Sequence, residues 1–315
     1  MQYITNGPNI PDELLEAQSR GEVVFFCGAG VSMPKLPGFY GLVDMLYKAV
    51  GDEPTLPEKN ELNNEAYDRT LSLLEKRITG GRNEVRRKLR SILDISGFGD
   101  DELGEHESLI KLSQHSGTLR LITTNFDYFF ERAAEKLGKK YSITKAPLLP
   151  PAKEWRWNGL VYLHGRLPDS DDETEYNNLV LSSGDFGLAY LTEGWAAKFV
   201  SELFRSYTVV FVGYSLNDPP LRYIMDALSA EQLITASSVS AYAFDECSNG
   251  DEAAVRERWS NLGVEAIVYE NNDNSHKNLT DTLQVWADTY SAGPQGKIDI
   301  VNRNMWSPPP TILAE

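Results

Sequence analysis

Four short stretches of this sequence carry side chains able to hold a phosphate, a sugar hydroxyl or a water. Gly28-Ala29-Gly30-Val31-Ser32 follows the apolar run from Glu22 to Cys27. Glycines directly after a strand let backbone N–H groups approach a pyrophosphate, and the Ser32 hydroxyl stands close behind. A bare strand exit uses the same residues, and the third glycine of a full dinucleotide fingerprint is missing. No phosphate loop ending in Gly-Lys-Ser or Gly-Lys-Thr occurs, which disfavours a kinase or P-loop ATPase. Thr123-Thr124-Asn125-Phe126-Asp127 places polar side chains and a carboxylate at one strand end. Asn125 both donates and accepts, which suits ribose hydroxyls, a carboxamide or a water. Asp127 stands where a helix N-cap belongs, and capping accounts for it equally well. His164 follows the run Leu160 to Leu163 and precedes Gly165; its imidazole can take a proton from water or a sugar hydroxyl.

The fourth stretch, Gly213-Tyr214-Ser215-Leu216-Asn217-Asp218-Pro219, is another glycine-polar turn after a strand. It can seat the other half of a dinucleotide on Ser215, Asn217 and backbone amides, or simply be a turn closed by Asp218-Pro219-Pro220. His106, His115 and His276 fall in helical or loop contexts and read as core or surface residues. No pairing of the four histidines has metal-ligand spacing, and no Gly-x-Ser-x-Gly elbow supports acyl transfer.

The elements that must position these residues follow from the hydrophobic periodicity. Short apolar strands are expected at Glu22 to Cys27, Leu119 to Thr123, Leu160 to Leu163, Leu179 to Leu181, Thr208 to Val212, Ser240 to Phe244 and Val264 to Tyr269. Helical spacing covers Phe39 to Val50, Trp195 to Phe204, Glu252 to Leu262 and Asn278 to Tyr290, with another helix from Leu221. The stretch from Asn60 to Leu93 is helical and charged, with Leu71, Leu74 and Ile78 on one face. Strands alternating with helices predict an α/β, doubly wound, mostly parallel sheet, with a helical insert over about 39–117. Residues 1–292 read as one domain and 293–315 as an irregular tail. All four polar clusters fall at strand carboxyl ends, where such sheets bind ligands.

Composition narrows the classes. Thirty Lys and Arg against 46 Asp and Glu give a formal charge of −16, which disfavours direct nucleic-acid or anionic-lipid contact. Cys27 and Cys247 are the only cysteines, too few for a four-cysteine zinc site and suited to a reducing compartment. The start lacks a basic segment followed by an apolar one, and no apolar stretch reaches membrane-span length. A cytoplasmic protein is the expectation.

In their order, the glycine turn with its serine, Thr-x-Asn-x-Asp, Leu-His-Gly and Gly-Tyr-Ser-Leu resemble the sirtuin family over roughly Val23 to Leu228. The resemblance implies a Rossmann-like, sirtuin-type fold that takes NAD as substrate. It implies that Gly28, Ala29, Gly30 and Ser32 hold the phosphates and nearer ribose, with Thr124 beside them. Asn125 would hold the ribose and attacking water, Asp127 would face the nicotinamide carboxamide, and His164 would be the general base. Gly213, Ser215 and Asn217 would lie under the second ribose and adenine. Deacetylating sirtuins carry a four-cysteine zinc module, a Thr-Gln-Asn motif and a Pro-Asp-Phe-Arg stretch; this chain has Thr123-Thr124-Asn125 and Leu36-Pro37-Gly38-Phe39-Tyr40. With an acidic loop after His164 and then Leu181 to Phe186, it looks like the bacterial sirtuin-like effectors that degrade NAD in anti-phage defence. The expected activity is therefore an NAD glycohydrolase needing no metal. A protein deacylase or ADP-ribosyltransferase, and a non-catalytic NAD or ADP-ribose sensor, are the alternatives. The resemblance further implies gating by homo-oligomerisation or by a partner: a ring ATPase, an Argonaute-like protein or a phage protein.

Overall fold

A strand without polar alternation has to be covered on both faces, and all five residues of Val23–Cys27 (β1) are buried. Val23, Phe25 and Cys27 enter one core, while Val24 and Phe26 enter a second on the opposite face. The computed structural model describes residues 1–153, 157–214, 223–225, 241–248, 250–273 and 275–296. Further strands are Gln114–His115 (β2), Thr118–Thr123 (β3), Ser142–Lys145 (β4), Gly159–Tyr162 (β5), Thr208–Val212 (β6), Ala241–Cys247 (β7) and Glu265–Glu270 (β8). They form a sheet ordered β4-β5-β3-β1-β6-β7-β8, every neighbour in that path parallel, with β2 antiparallel to β3. This is the doubly wound, Rossmann-like architecture expected. The strand order reverses between β1 and β6, and such switch points open crevices beyond the strand ends.

The first core is closed by Asp12–Ser19, by the helices between β1 and β2, by Phe129–Lys136 and by Lys277–Ser291, through Leu14, Leu46, Leu71, Leu89, Phe129 and Trp286. Helices Trp195–Ser206 and Glu252–Ser260 cover the second with Phe199, Leu203 and Trp259. Within the span read as an insert lie five helices: Phe39–Val50, Leu56–Asn63, Tyr67–Arg77, Gly81–Ile92 and Gly104–Leu112. Their apolar residues belong to the first core rather than to a core of their own. Among the described residues no helix is long and apolar enough to cross a membrane.

One expected strand is absent. Leu179 to Leu181 is buried but joins no ladder. Its backbone is satisfied differently: Val180 N donates to His164 O at 2.8 Å, Leu179 O accepts from Arg86, and Leu181 N donates to Asp185. An apolar run reports burial, not pairing, and here side chains replace the neighbouring strand. The edge strand Ser142–Lys145 carried no such apolar signal, because its first two residues are exposed. Most of the helix expected from Leu221 and residues 297–315 of the expected tail lie outside the described residues.

Candidate active site

The carboxyl ends of β1 and β6 meet through glycine. Gly28 N donates to Val212 O at 2.9 Å and Gly30 N to Gly213 O at 2.8 Å. A Cβ on Gly30 would stand 2.7 Å from the Gly213 Cα, and Gly213 itself has a φ of +71°. These glycines let two turns touch, and two amides assigned to phosphates by resemblance are already bonded to neighbouring carbonyls. Ala29 and Ser32, on the single 3₁₀ turn Ala29–Ser32, line the cleft beyond them.

Ser32 is the centre of the polar cluster. Its hydroxyl donates to Asp127 Oδ2 at 3.0 Å and accepts from Asn125 Nδ2 at 3.2 Å. A third neighbour, His106 Nε2, lies at 3.3 Å. A hydroxyl has one proton and two lone pairs. With the proton given to Asp127, both amide and imidazole must donate, so His106 carries its proton on Nε2. Its Nδ1 is buried with no partner among the described residues, between the rings of Phe129 and Phe130. Burial lowers the His106 pKa to about 3, assisted by the charge of Lys35, so the ring is neutral.

The Asp127 carboxylate meets the capping expectation in kind: Oδ1 accepts from Phe129 N at 3.0 Å, at the start of helix Phe129–Lys136, while Oδ2 accepts from the Ser32 hydroxyl. Burial lifts its pKa to about 6 despite these bonds, which act to lower it. Asn125 N is held by Thr123 Oγ1, and one proton of its Nδ2 goes to Ser32, leaving Oδ1 and the second Nδ2 proton for a ligand. Thr124 also lines the cleft, its Oγ1 2.7 Å from the Tyr214 hydroxyl.

His164 closes the far side. Gly165 after it has a φ of +88°, and a Cβ there would stand 2.7 Å from Asn178 O, so Leu-His-Gly needs its glycine sterically. His164 Nε2 lies 2.8 Å from the Tyr190 hydroxyl, Phe186 meets the ring edge-to-face at 5.3 Å, and burial lowers its pKa to about 3. Leu36, Pro37, Phe39, Val180 and Phe186 give the cleft an apolar wall.

The structure thus brings Ala29, Ser32, Thr124, Asn125, Asp127 and His164 into one cleft at the ends of β1, β3 and β5. Gly28, Gly30 and Gly213 do not line the cleft but join the two turns beside it; Ser215 and Asn217 lie outside the described residues. Sequence reasoning passed over three contributors. His106 shares a helical stripe with Leu103 and Leu109, a spacing that announced burial, but its partner Ser32 is 74 residues away. Tyr190 had no local signal beyond being aromatic, and Tyr214, though inside the Gly213 to Pro219 turn, was given no role of its own.

Comparison with known proteins agrees with this fold. Residues 119–267 match the model of the SIR2-like domain. Over 269 residues the chain is 33% identical to the uncharacterized protein y4cA of Sinorhizobium fredii (strain NBRC 101917 / NGR234), covering 84% of this chain and 22% of that protein. Over 220 residues it is 24% identical to defense-associated sirtuin 2 of Bacillus subtilis, covering 68% of this chain and 20% of that protein. The chain spans about a fifth of the length of these curated relatives.

Proposed function

We propose that this chain is a sirtuin-like protein, as its match to the SIR2-like domain supports, and that it binds NAD in the cleft and hydrolyses it to nicotinamide and ADP-ribose. The observation that carries the reading is the convergence of Ser32, Asn125, Asp127 and His164 at the carboxyl ends of three adjacent parallel strands.

The chemistry asks little of the protein. Nicotinamide leaves neutral, taking the electron pair of its bond to the ribose, so no general acid is needed. Water attacks the same carbon and gives up one proton. Asn125 Oδ1 orients that water or a ribose hydroxyl. An acceptor works best with a pKa near the operating pH. Asp127, raised to about 6 by burial, meets that condition, while His164, near 3, does not. Asp127 is therefore the proton acceptor in this reading, and His164 binds the ribose as a neutral imidazole. The apolar wall of Leu36, Phe39 and Phe186 keeps bulk water from the developing cation.

Similarity to a defence-associated sirtuin supports the further reading that the hydrolysis serves antiviral defence in the cytoplasm by depleting NAD. Unchecked depletion would kill the cell, so we place the activity under control of self-association or a partner.

The test is nicotinamide release from NAD by the purified chain at several protein concentrations. Asn125→Ala and His164→Ala are each expected to lower release by about 10²–10⁴-fold while thermal unfolding remains cooperative. A double variant that still releases nicotinamide overturns the site; NAD consumption dependent on an acyl-lysine peptide makes the chain a deacylase; binding without release makes it a sensor.

A further inference from the structure

The contact between Tyr190 and His164 belongs to no motif read from the sequence, yet it decides which face of the histidine a ligand meets. Tyr190 sits in the π-helical turn Gly187–Thr192, directly after the short helix Ser183–Phe186. Such turns recur at functional sites because an extra residue redirects a side chain. The ring is wedged against Phe186 at 6.2 Å and Tyr223 at 5.4 Å, and those two stack on each other at 5.4 Å, 7° from parallel. The segment is anchored from behind. Buried Arg86 donates to Tyr176 O, Leu179 O and Asp185 Oδ2, and Asp185 in turn accepts from Leu181 N and Ser182 N. Burial alone would push the Asp185 carboxyl up, but Arg86 and Arg82 outweigh it and hold it ionised.

The proton positions follow from partner counting. Tyr190 is buried, which raises its pKa and keeps its hydroxyl protonated. Among the described residues its hydrogen-bond partner is His164 Nε2, at 2.8 Å. A buried phenol donates to the acceptor it faces, since an unmade hydrogen bond would leave its proton desolvated. Nε2 is then the acceptor, and the ring proton must lie on Nδ1.

We propose that Tyr190 is a positioning residue that holds His164 as its Nδ1–H tautomer, so that the histidine offers the cleft a hydrogen-bond donor. A donor at that place suits the oxygen of a ribose hydroxyl. In the NAD reading, on which this role for the ligand rests, it leaves proton acceptance to Asp127. The tautomer itself does not depend on that reading.

The experiment is ¹⁵N NMR of histidine-labelled full chain, with the His164 signals assigned by His164→Gln, in the wild type and in Tyr190→Phe. Phenylalanine keeps the ring stack and removes the hydroxyl alone. The wild type is expected to show Nδ1 protonated and Nε2 bare, and the variant a mixture or reversal of the two. Nicotinamide release by the variant is expected to fall about tenfold or more, as befits a misoriented group. An Nε2–H wild type overturns the proposal even if the variant fails to fold, as does an unchanged tautomer in a folded variant. A wild type that shows the Nδ1–H tautomer but neither binds NAD nor releases nicotinamide overturns the NAD reading alone.

Discussion

A single hydroxyl, that of Ser32, links the Asp127 carboxylate, the Asn125 amide and a histidine from the helical layer. Removing it in Ser32→Ala leaves Asp127 Oδ2, Asn125 Nδ2 and His106 Nε2 without their shared partner. Each buried group so orphaned costs about 1–3 kcal/mol, the largest share falling on the carboxylate. The chemical consequence is separable from that loss. Nicotinamide release that needs ionised Asp127 is expected to fall as pH drops through about 6 in the wild type. The Ser32 hydrogen bond lowers the Asp127 pKa, so in Ser32→Ala this acid limb should move to higher pH. A pH–rate profile of both proteins checks this, and an unmoved limb removes Asp127 from the proton's path.

Among the elements, the glycine turns after β1 and β6 have more to do with packing than their sequence suggested. Gly30→Ala drives a methyl to 2.7 Å from the Gly213 Cα, backbone against backbone, with no side chain free to yield. Overpacking of this kind costs about 1–3 kcal/mol, and urea unfolding of the variant is expected to show it. A variant as stable as the wild type would mean that the turns do not touch. The same elements show what the sequence could convey. The apolar runs of β1, β3, β5 and β6 were legible because doubly covered strands have no polar alternation. Asn125, Asp127 and His164 were legible because they sit at the ends of those runs. Leu179 to Leu181 misled for the same reason: its burial is equally complete, but Arg86 and Asp185, 99 residues apart in the chain, satisfy its backbone. Long-range polar partners leave no periodic trace, which is also why His106 and Tyr190 stayed hidden.

At the scale of the molecule, two buried neutral histidines make stability depend on pH. His106 and His164 have folded-state pKa values near 3, against an ordinary value of 6.5. Between those limits the unfolded chain binds protons that the folded one refuses, so their contribution to stability is full above 6.5 and declines as pH falls. Asp127 acts in the opposite sense between 3.8 and about 6, where the folded state holds the extra proton. The partial cancellation means that a difference experiment is needed. His106→Gln removes one such group and is expected to flatten the pH slope of the unfolding free energy by about 1.4 kcal/mol per pH unit near pH 5. Urea unfolding across pH 4.5–6 measures it, and identical slopes would mean that the His106 imidazole titrates normally in the fold.

The touching glycines also bear on how a ligand gets in and out. With Gly30 packed against the Gly213 backbone and the two turns hydrogen-bonded to each other, strands β1 and β6 cannot part to widen the crevice between them. Entry and release must then be governed by the walls: Leu36 to Phe39 on one side, Phe186 and its aromatic neighbours on the other. The sheet is a fixed anvil, and the residence time of whatever binds there is set by loops whose contribution to the cleft wall is mainly apolar.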